Sequence, residues 1–328
     1  MNGKTGMYVG IIISVVIVLA IVGISVGLYA FKGNAIGEPV ATKDPAKLEK
    51  IEMTLDLARL INMPSGGGAE VPYNEAVKLA MEYGDNFAED AGKPFPEENE
   101  KLKAILVKLE EAAEMGMGSD VKLVFSSLPE MSPKTEWEIR GTLYAIAKIA
   151  AYASMARNKN GDLAGAEKAM RAGLLWGYRL FKNGDDFVAY KYAGVCSVSE
   201  ALGAAMDLYM KGDATKKAAA DDLNKEYRKA GDRWFDKVSI ILKPDLKINA
   251  ADLWNMAEND KDKAWRREGV MWLGVSQWTY AFGPQRPAVQ KYLESLTHSP
   301  DPVIAKLAKE AYTMKREDMN AVAFNLPR

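Results

Sequence analysis

Few residues of this chain can carry chemistry, and the two most telling stand alone. His298 is the single histidine and Cys196 the single cysteine. Nucleophilic catalysis of the Ser-His-Asp or Cys-His kind needs an imidazole beside the nucleophile, and zinc needs several nitrogen or sulfur ligands. With no second histidine and no partner cysteine, those chemistries are all but excluded, and so is an intramolecular disulfide. Cys196 lies in VCSVSEAL, among small and apolar residues, and reads as a buried small hydrophobe. His298 lies in the turn-like run THSPDP. A carboxylate-only mechanism, as in glycan-cleaving helical domains, remains open, with Glu136, Glu138, Asp185 and Asp186 as its candidate acids. All four fall at helix starts, where capping and pairing with the helix dipole explain them better. Asn158, Asn160 and Asp162 imitate the opening of a calcium loop, but the glycine is misplaced and no glutamate closes it. Gly66-Gly67-Gly68 lacks the strand and helix that a phosphate-binding loop requires. No metal or cofactor is therefore expected, and the chain does not read as an enzyme.

Charge narrows the partners further. Lys4 and Lys32 are the only charged side chains of the first 32 residues, which leaves 41 basic and 44 acidic side chains beyond them, net -3. No basic stripe or excess is visible, so nucleic acid is not an expected partner. The apolar fraction of 48% is enough to bury a sizeable core.

The elements that position these residues begin with an anchor. Met7 to Phe31 is a run of 25 residues without a charge. As a helix it reaches about 37 Å, enough to cross a hydrocarbon core of about 30 Å with some tilt. Tyr8, Tyr29 and Phe31 stand near its ends, where aromatic rings favour the interface. The run is too long for a cleaved signal peptide and ends without a good cleavage site. Residues 1–32 are read as an uncleaved signal anchor with a short basic tail, which places the large C-terminal part on the extracytoplasmic side (periplasmic in a bacterium). Gly23 and Gly27, one turn apart, are the candidate contact for self-association through this helix.

Residues 33–44 are a Gly- and Pro-bearing linker, and helical signals dominate from there. Asp44-Pro45 reads as a cap with proline in the first turn, opening a helix to about Asn62 whose Leu48, Ile51, Leu55 and Leu60 recur near helical spacing. PSGGGAEVP, residues 64–72, reads as a flexible, disordered loop. Helices are expected over about 73–90 and 96–116, completing an N-terminal helical region of residues 45–118. Residues 119–135 form a connector, and residues 136–328 a helical, repeat-like domain. Ile139, Leu143, Ile146, Ala150 and Ala153 mark one face of its first helix. Three turns follow, Asn160-Gly161-Asp162, Asn183-Gly184-Asp185 and Lys211-Gly212-Asp213, spaced by 23 and 28 residues. In each, the glycine suits a left-handed C-terminal position and the aspartate can cap the next helix. Long antiparallel helices joined by tight turns account for both the residues and the distances. A further helix is expected over 214–242, and a short one from Asn249.

Asp262 to Gly274, DKAWRREGVMWLG, resembles the first helix of a HEAT-type repeat, with an aspartate turn before it and a Leu-Gly ending. Asp301 to Tyr312, DPVIAKLAKEAY, is similar to the start of a next repeat 39 residues on, with PAVQKYLESL as a second helix between them. Trp265 stands where such repeats carry a smaller aliphatic residue, and Lys306 near a common arginine. Residues 160–212 also resemble tetratricopeptide hairpins, with longer helices. The resemblance implies an all-α chain, an α-solenoid or layered antiparallel array that binds another protein. Trp265, Arg266, Arg267, Trp272 and Trp278 are then the candidate partner surface, with core packing as the competing role for the tryptophans. The expected function is a membrane-anchored, non-catalytic scaffold. A lipid- or ligand-binding helical protein and the carboxylate-only enzyme are the alternatives.

Overall fold

A computed structural model describes residues 48–95, 99–118, 121–128, 133–184, 187–210, 212–239, 241, 250–278 and 285–315. Their regular elements are helices: α1 (Glu70–Tyr83), α2 (Phe87–Ala91), α3 (Glu100–Glu114), α4 (Pro133–Lys159), α5 (Leu163–Asn183), α6 (Val188–Tyr209), α7 (Ala214–Val238), α8 (Ala250–Asn259), α9 (Lys263–Ser276), α10 (Arg286–Leu296) and α11 (Pro302–Thr313). The expected anchor over 7–31, with Gly23 and Gly27, lies outside the described residues. No described helix is long and apolar enough to cross a membrane.

The centre is the trio α4, α5 and α6, each packed on the other two. Their sequences are rich in alanine and glycine, so the helices approach closely. A Cβ on Gly177 would lie 2.7 Å from the Val198 nitrogen, and one on Gly194 2.6 Å from the Phe181 nitrogen. Backbone therefore meets backbone across the α5–α6 seam, and any side chain at either position collides with main chain. Trp176 fills the space this leaves toward α4, and its indole N–H donates to the Leu143 carbonyl at 3.1 Å. That bond satisfies the one polar group on a fully buried ring.

The α1–α3 pair lies against α4 and α5, and α7 packs on α6. On the other side α8 pairs with α9, α11 packs on α9 and α10, and α9 reaches α4 and α6. One buried apolar cluster runs through all of these, from Ile51 to Ala311. The packing of α1–α3 is thus continuous with that of the later helices. Arg179 helps bind them: nearly buried, it donates to the Ala112 and Met115 carbonyls at 2.9 and 2.6 Å and to the Tyr73 hydroxyl at 2.9 Å. A guanidinium on the last carbonyls of α3 meets the negative end of that helix.

Several expectations are corrected. The helix from Asp44 to Asn62 is not formed where the chain is described. Residues 50–56 have no helical hydrogen bonding, and only a short 3-10 turn, Leu57–Arg59, follows. Ile51, Met53, Leu55 and Leu57 are buried while Glu52, Thr54 and Asp56 are exposed. That is the period of an extended chain with one face on the core, and it outweighs the near-helical recurrence of the leucines. The next expected helix, over 73–90, is split: Gly84 stops α1 at φ 94°, and α2 is a separate short piece. The loop over 64–72 is held in place. Its last residues open α1, the Gly116 N–H donates to the Ser65 carbonyl at 3.2 Å, and the Ala69 N–H donates to the Gly116 carbonyl at 3.4 Å.

Of the three Gly-Asp turns, the first is as expected, with Gly161 at φ 83° and Asp162 accepting the Gly165 N–H. Asp213 likewise caps α7 through the Thr215 and Lys216 N–H groups. Gly212 and Gly184, however, are not left-handed. At Gly184 the reason for glycine is space, since a Cβ would sit 2.2 Å from the Leu180 carbonyl oxygen. Asp185 lies outside the described residues.

A lysine-lined cleft above a buried ion pair as the candidate functional site

The extended segment 50–56 crosses the ends of helices far from it in sequence. The Lys261 N–H, in the turn between α8 and α9, donates to the Leu48 carbonyl at 3.0 Å, and Lys261 Nζ reaches Glu49 at 2.6 Å. Lys237, from the last turn of α7, donates to the Glu49 carbonyl at 3.1 Å. Arg59 pairs with Glu226 of α7 at 2.6 Å. A strict solenoid joins only neighbouring layers, and this segment joins the first described residues to much later ones.

Below it lies a closed electrostatic cluster. Lys237 Nζ is 2.6 Å from Asp260 Oδ2, and both side chains are almost wholly buried. The ammonium also lies over the Trp265 ring, 5.2 Å from its centre. Asp260 Oδ1 accepts the Asp262 N–H at 2.9 Å, and Asp262 in turn caps α9 through the Ala264 N–H at 3.0 Å and pairs with Lys191 of α6 at 2.7 Å. Burial pushes the Asp260 carboxyl up to about 6 in spite of Lys237. It also pulls the Lys237 ammonium below its ordinary value. At Asp262 burial works upward too, but the Lys191 charge and hydrogen bond, the Ala264 N–H and the Lys237 charge outweigh it, leaving this carboxyl below its usual range.

Lys191 and Asp262 form the floor of an open cleft of about 540 Å³, walled on one side by Lys50 to Thr54. Lys50, Lys122, Lys182, Lys191, Lys261 and Lys263 all line it, against the acids Glu52 and Asp262. Glu52 is taken by Lys50 at 3.2 Å and Asp262 by Lys191. Lys122, Lys182 and Lys263 have no carboxylate partner among the described residues. No main-chain hydrogen bond joins residues 51–55 to any described residue. The cleft therefore presents ammonium groups and an unpaired extended backbone together. Nothing in the sequence marked these lysines, which are scattered over more than 200 positions without a run or stripe. The alternation in IEMTLDL was the one readable signal.

The tryptophan-rich region is a correction to the expected partner surface. Trp265 and Trp272 are core residues at 0% and 4% exposure, and Arg267 is nearly buried beside the Phe187 ring. Arg266 and Trp278 are only partly accessible, with the Trp278 N–H donating to the Met314 carbonyl at 2.8 Å. Trp265, Arg267 and Trp272 thus belong to a packing layer, because Trp265 faces α7 through Trp234 at 5.0 Å while Gly274 admits Ala311 of α11. Cys196 is half-buried, and burial pushes its thiol up to about 11. His298 is exposed in its turn. The side chains of Glu136, Glu138, Asp185 and Asp186 lie outside the described residues. Among the described residues no group of three acids, histidines or cysteines gathers to hold a metal. The hollow among Val188, Tyr192, Val238 and Ile241, which Arg140 and Glu268 also line, measures only about 10 Å³, too little for a lipid chain.

Comparison of the chain with family models, with curated proteins and with solved structures gives no match in any of the three.

Proposed function

We propose that this chain is a membrane-tethered, non-catalytic interaction module, a layered helical body held by the N-terminal anchor on the extracytoplasmic side. The observation that carries this reading is the cleft beside residues 50–56. The buried groups beneath and at its base, Lys237, Asp260, Asp262 and Lys191, are paired with one another, while Lys122, Lys182 and Lys263 have no carboxylate partner among the described residues and the main chain of 51–55 no main-chain partner there. Such a surface holds a partner rather than transforms one. The other buried charges also fasten helices together: Glu110 joins Arg157 and Lys168 at 2.6 and 3.2 Å, tying α3 to α4 and α5. The HEAT-like spacing of Asp262 and Asp301 supports a layered array, with both aspartates capping the helices they precede.

Lysine-directed crosslinking with mass spectrometry on native membranes tests this. Reproducible links from the body to one other protein are expected, and the chain should resist alkaline extraction. Links confined to the chain itself, or release by alkali, would overturn the reading.

A further inference from the structure

We infer that the cleft binds an acidic polypeptide segment in extended conformation, laid along residues 51–55 as an added strand with its carboxylates among the lysines. This rests on the interaction-module reading and names the partner's chemistry. Two independent features of the cleft select that chemistry. The lysine lining, in a chain with net charge -1, is a local reversal of sign, and Lys122, Lys182 and Lys263 lack carboxylate partners among the described residues. An acidic ligand would supply counter-charges to these lysines, and electrostatic steering would speed its arrival.

The second feature separates a polypeptide from other anions. The main chain of 51–55 lines the open cleft and has no main-chain partner among the described residues, so its N–H and C=O groups are available to another extended chain. Ile51, Met53 and Leu55 fix this chain by their side chains, so its register is set without ladder bonds. A phosphate or a lipid headgroup can satisfy lysines but cannot continue a ladder. Another extended chain does both, which is how strands are added to open edges elsewhere. Glu52 and Thr54 point outward, and their neighbours in an added strand would sit over the lysine wall.

The test uses the full chain in detergent and a fluorescent ten-residue peptide of alternating glutamate and valine, followed by anisotropy. Saturable binding that weakens about tenfold or more between low and physiological salt is expected. A peptide with the same sequence but alternate backbone nitrogens methylated keeps its charge and loses its ladder, and its binding should fall by a similar factor. The triple variant Lys122→Glu, Lys182→Glu, Lys263→Glu should abolish binding while its thermal midpoint stays near that of the parent, since among the described residues these side chains pair with no carboxylate and only Lys182 lies over a ring, that of Tyr178 at 5.4 Å.

Equal binding of the methylated peptide would overturn the added-strand geometry. Preferential binding of inorganic phosphate or of phosphatidylglycerol vesicles, lost in the same triple variant, would replace the peptide by a phosphate group. No binding of any probe would overturn the inference alone if crosslinking still finds a partner on another face. It would sink the broader reading as well if crosslinking finds none.

Discussion

Two seams hold this molecule together by opposite means. The seam between α5 and α6 is closed by absence: Gly177 and Gly194 remove side chains so that main chains touch. The seam among α7, the α8–α9 turn and the segment at Leu48 is closed by charge, with Lys237 and Asp260 sealed under it. Where Gly177 and Gly194 stand, the first has no titratable side chain and no room for added volume. The second depends on protons, and on both partners being present. A buried ion pair costs much of its own attraction in lost hydration, so its gain lies in fixing which segments meet rather than in net stability.

The comparison can be broken most severely at the charged seam. Lys237→Ala or Asp260→Ala leaves a buried charge without its partner and should cost about 3–5 kcal/mol in denaturant unfolding. The double variant Lys237→Met, Asp260→Leu should regain most of that loss. If the double variant is as unstable as either single one, the pair is worth more than its apolar replacement and the contrast fails. At the glycine seam, Gly177→Ala should cost about 1–3 kcal/mol by overpacking, and by the same amount at every pH.

The pH profile sharpens the contrast further. Asp260 has a folded-state value of about 6, above that of an unfolded aspartate, so the folded chain holds the proton more tightly. Its contribution is full below about pH 4, where an unfolded aspartate titrates, and is lost as pH rises through about 6. Asp262, depressed by Lys191, acts with the opposite sign and only in more acid solution. Asp260→Asn should remove the decline between these limits, measured as unfolding midpoint against pH, whereas Gly177→Ala should leave its shape intact. The smallest expected effect is a control. A Cβ on Gly203, inside α6, meets nothing within 4 Å. Gly203→Ala should therefore stabilise by about 0.5–1 kcal/mol, the ordinary gain of alanine in a helix. A loss there would mean that α6 is crowded on both faces.

Much of the fold was legible because helix ends announce themselves chemically. Asp162, Asp213, Asp262 and Asp301 each cap the helix that follows, as their positions before apolar periodic runs suggested. What misled was a segment with two periods at once. Leu48, Ile51 and Leu55 fit a helix, but Ile51, Met53, Leu55 and Leu57 fit a strand, and burial of the second set decided the matter. The tryptophans misled differently. Composition cannot say whether an aromatic layer faces a partner or another layer, and Trp265 and Trp272 face layers. The cleft was illegible because its lysines converge only after five separate segments of chain have been brought together in space. Local pattern carries caps and turns well, and carries convergence of distant side chains hardly at all.

The clasp at Leu48 also has a mechanical consequence. The described body begins where the Leu48 and Glu49 carbonyls receive Lys261 and Lys237, and residues 51–55 beyond it have no ladder to described chain. Tension applied from the N-terminal side is delivered to those few bonds in series, one after another, rather than shared across a sheet in parallel. The segment would peel from the clasp inward, unseating Ile51, Met53 and Leu55 in turn while the glycine-sealed helices stay shut. A strand added alongside would convert that zipper into a joint loaded in shear, so an occupied cleft would yield at higher force than an empty one.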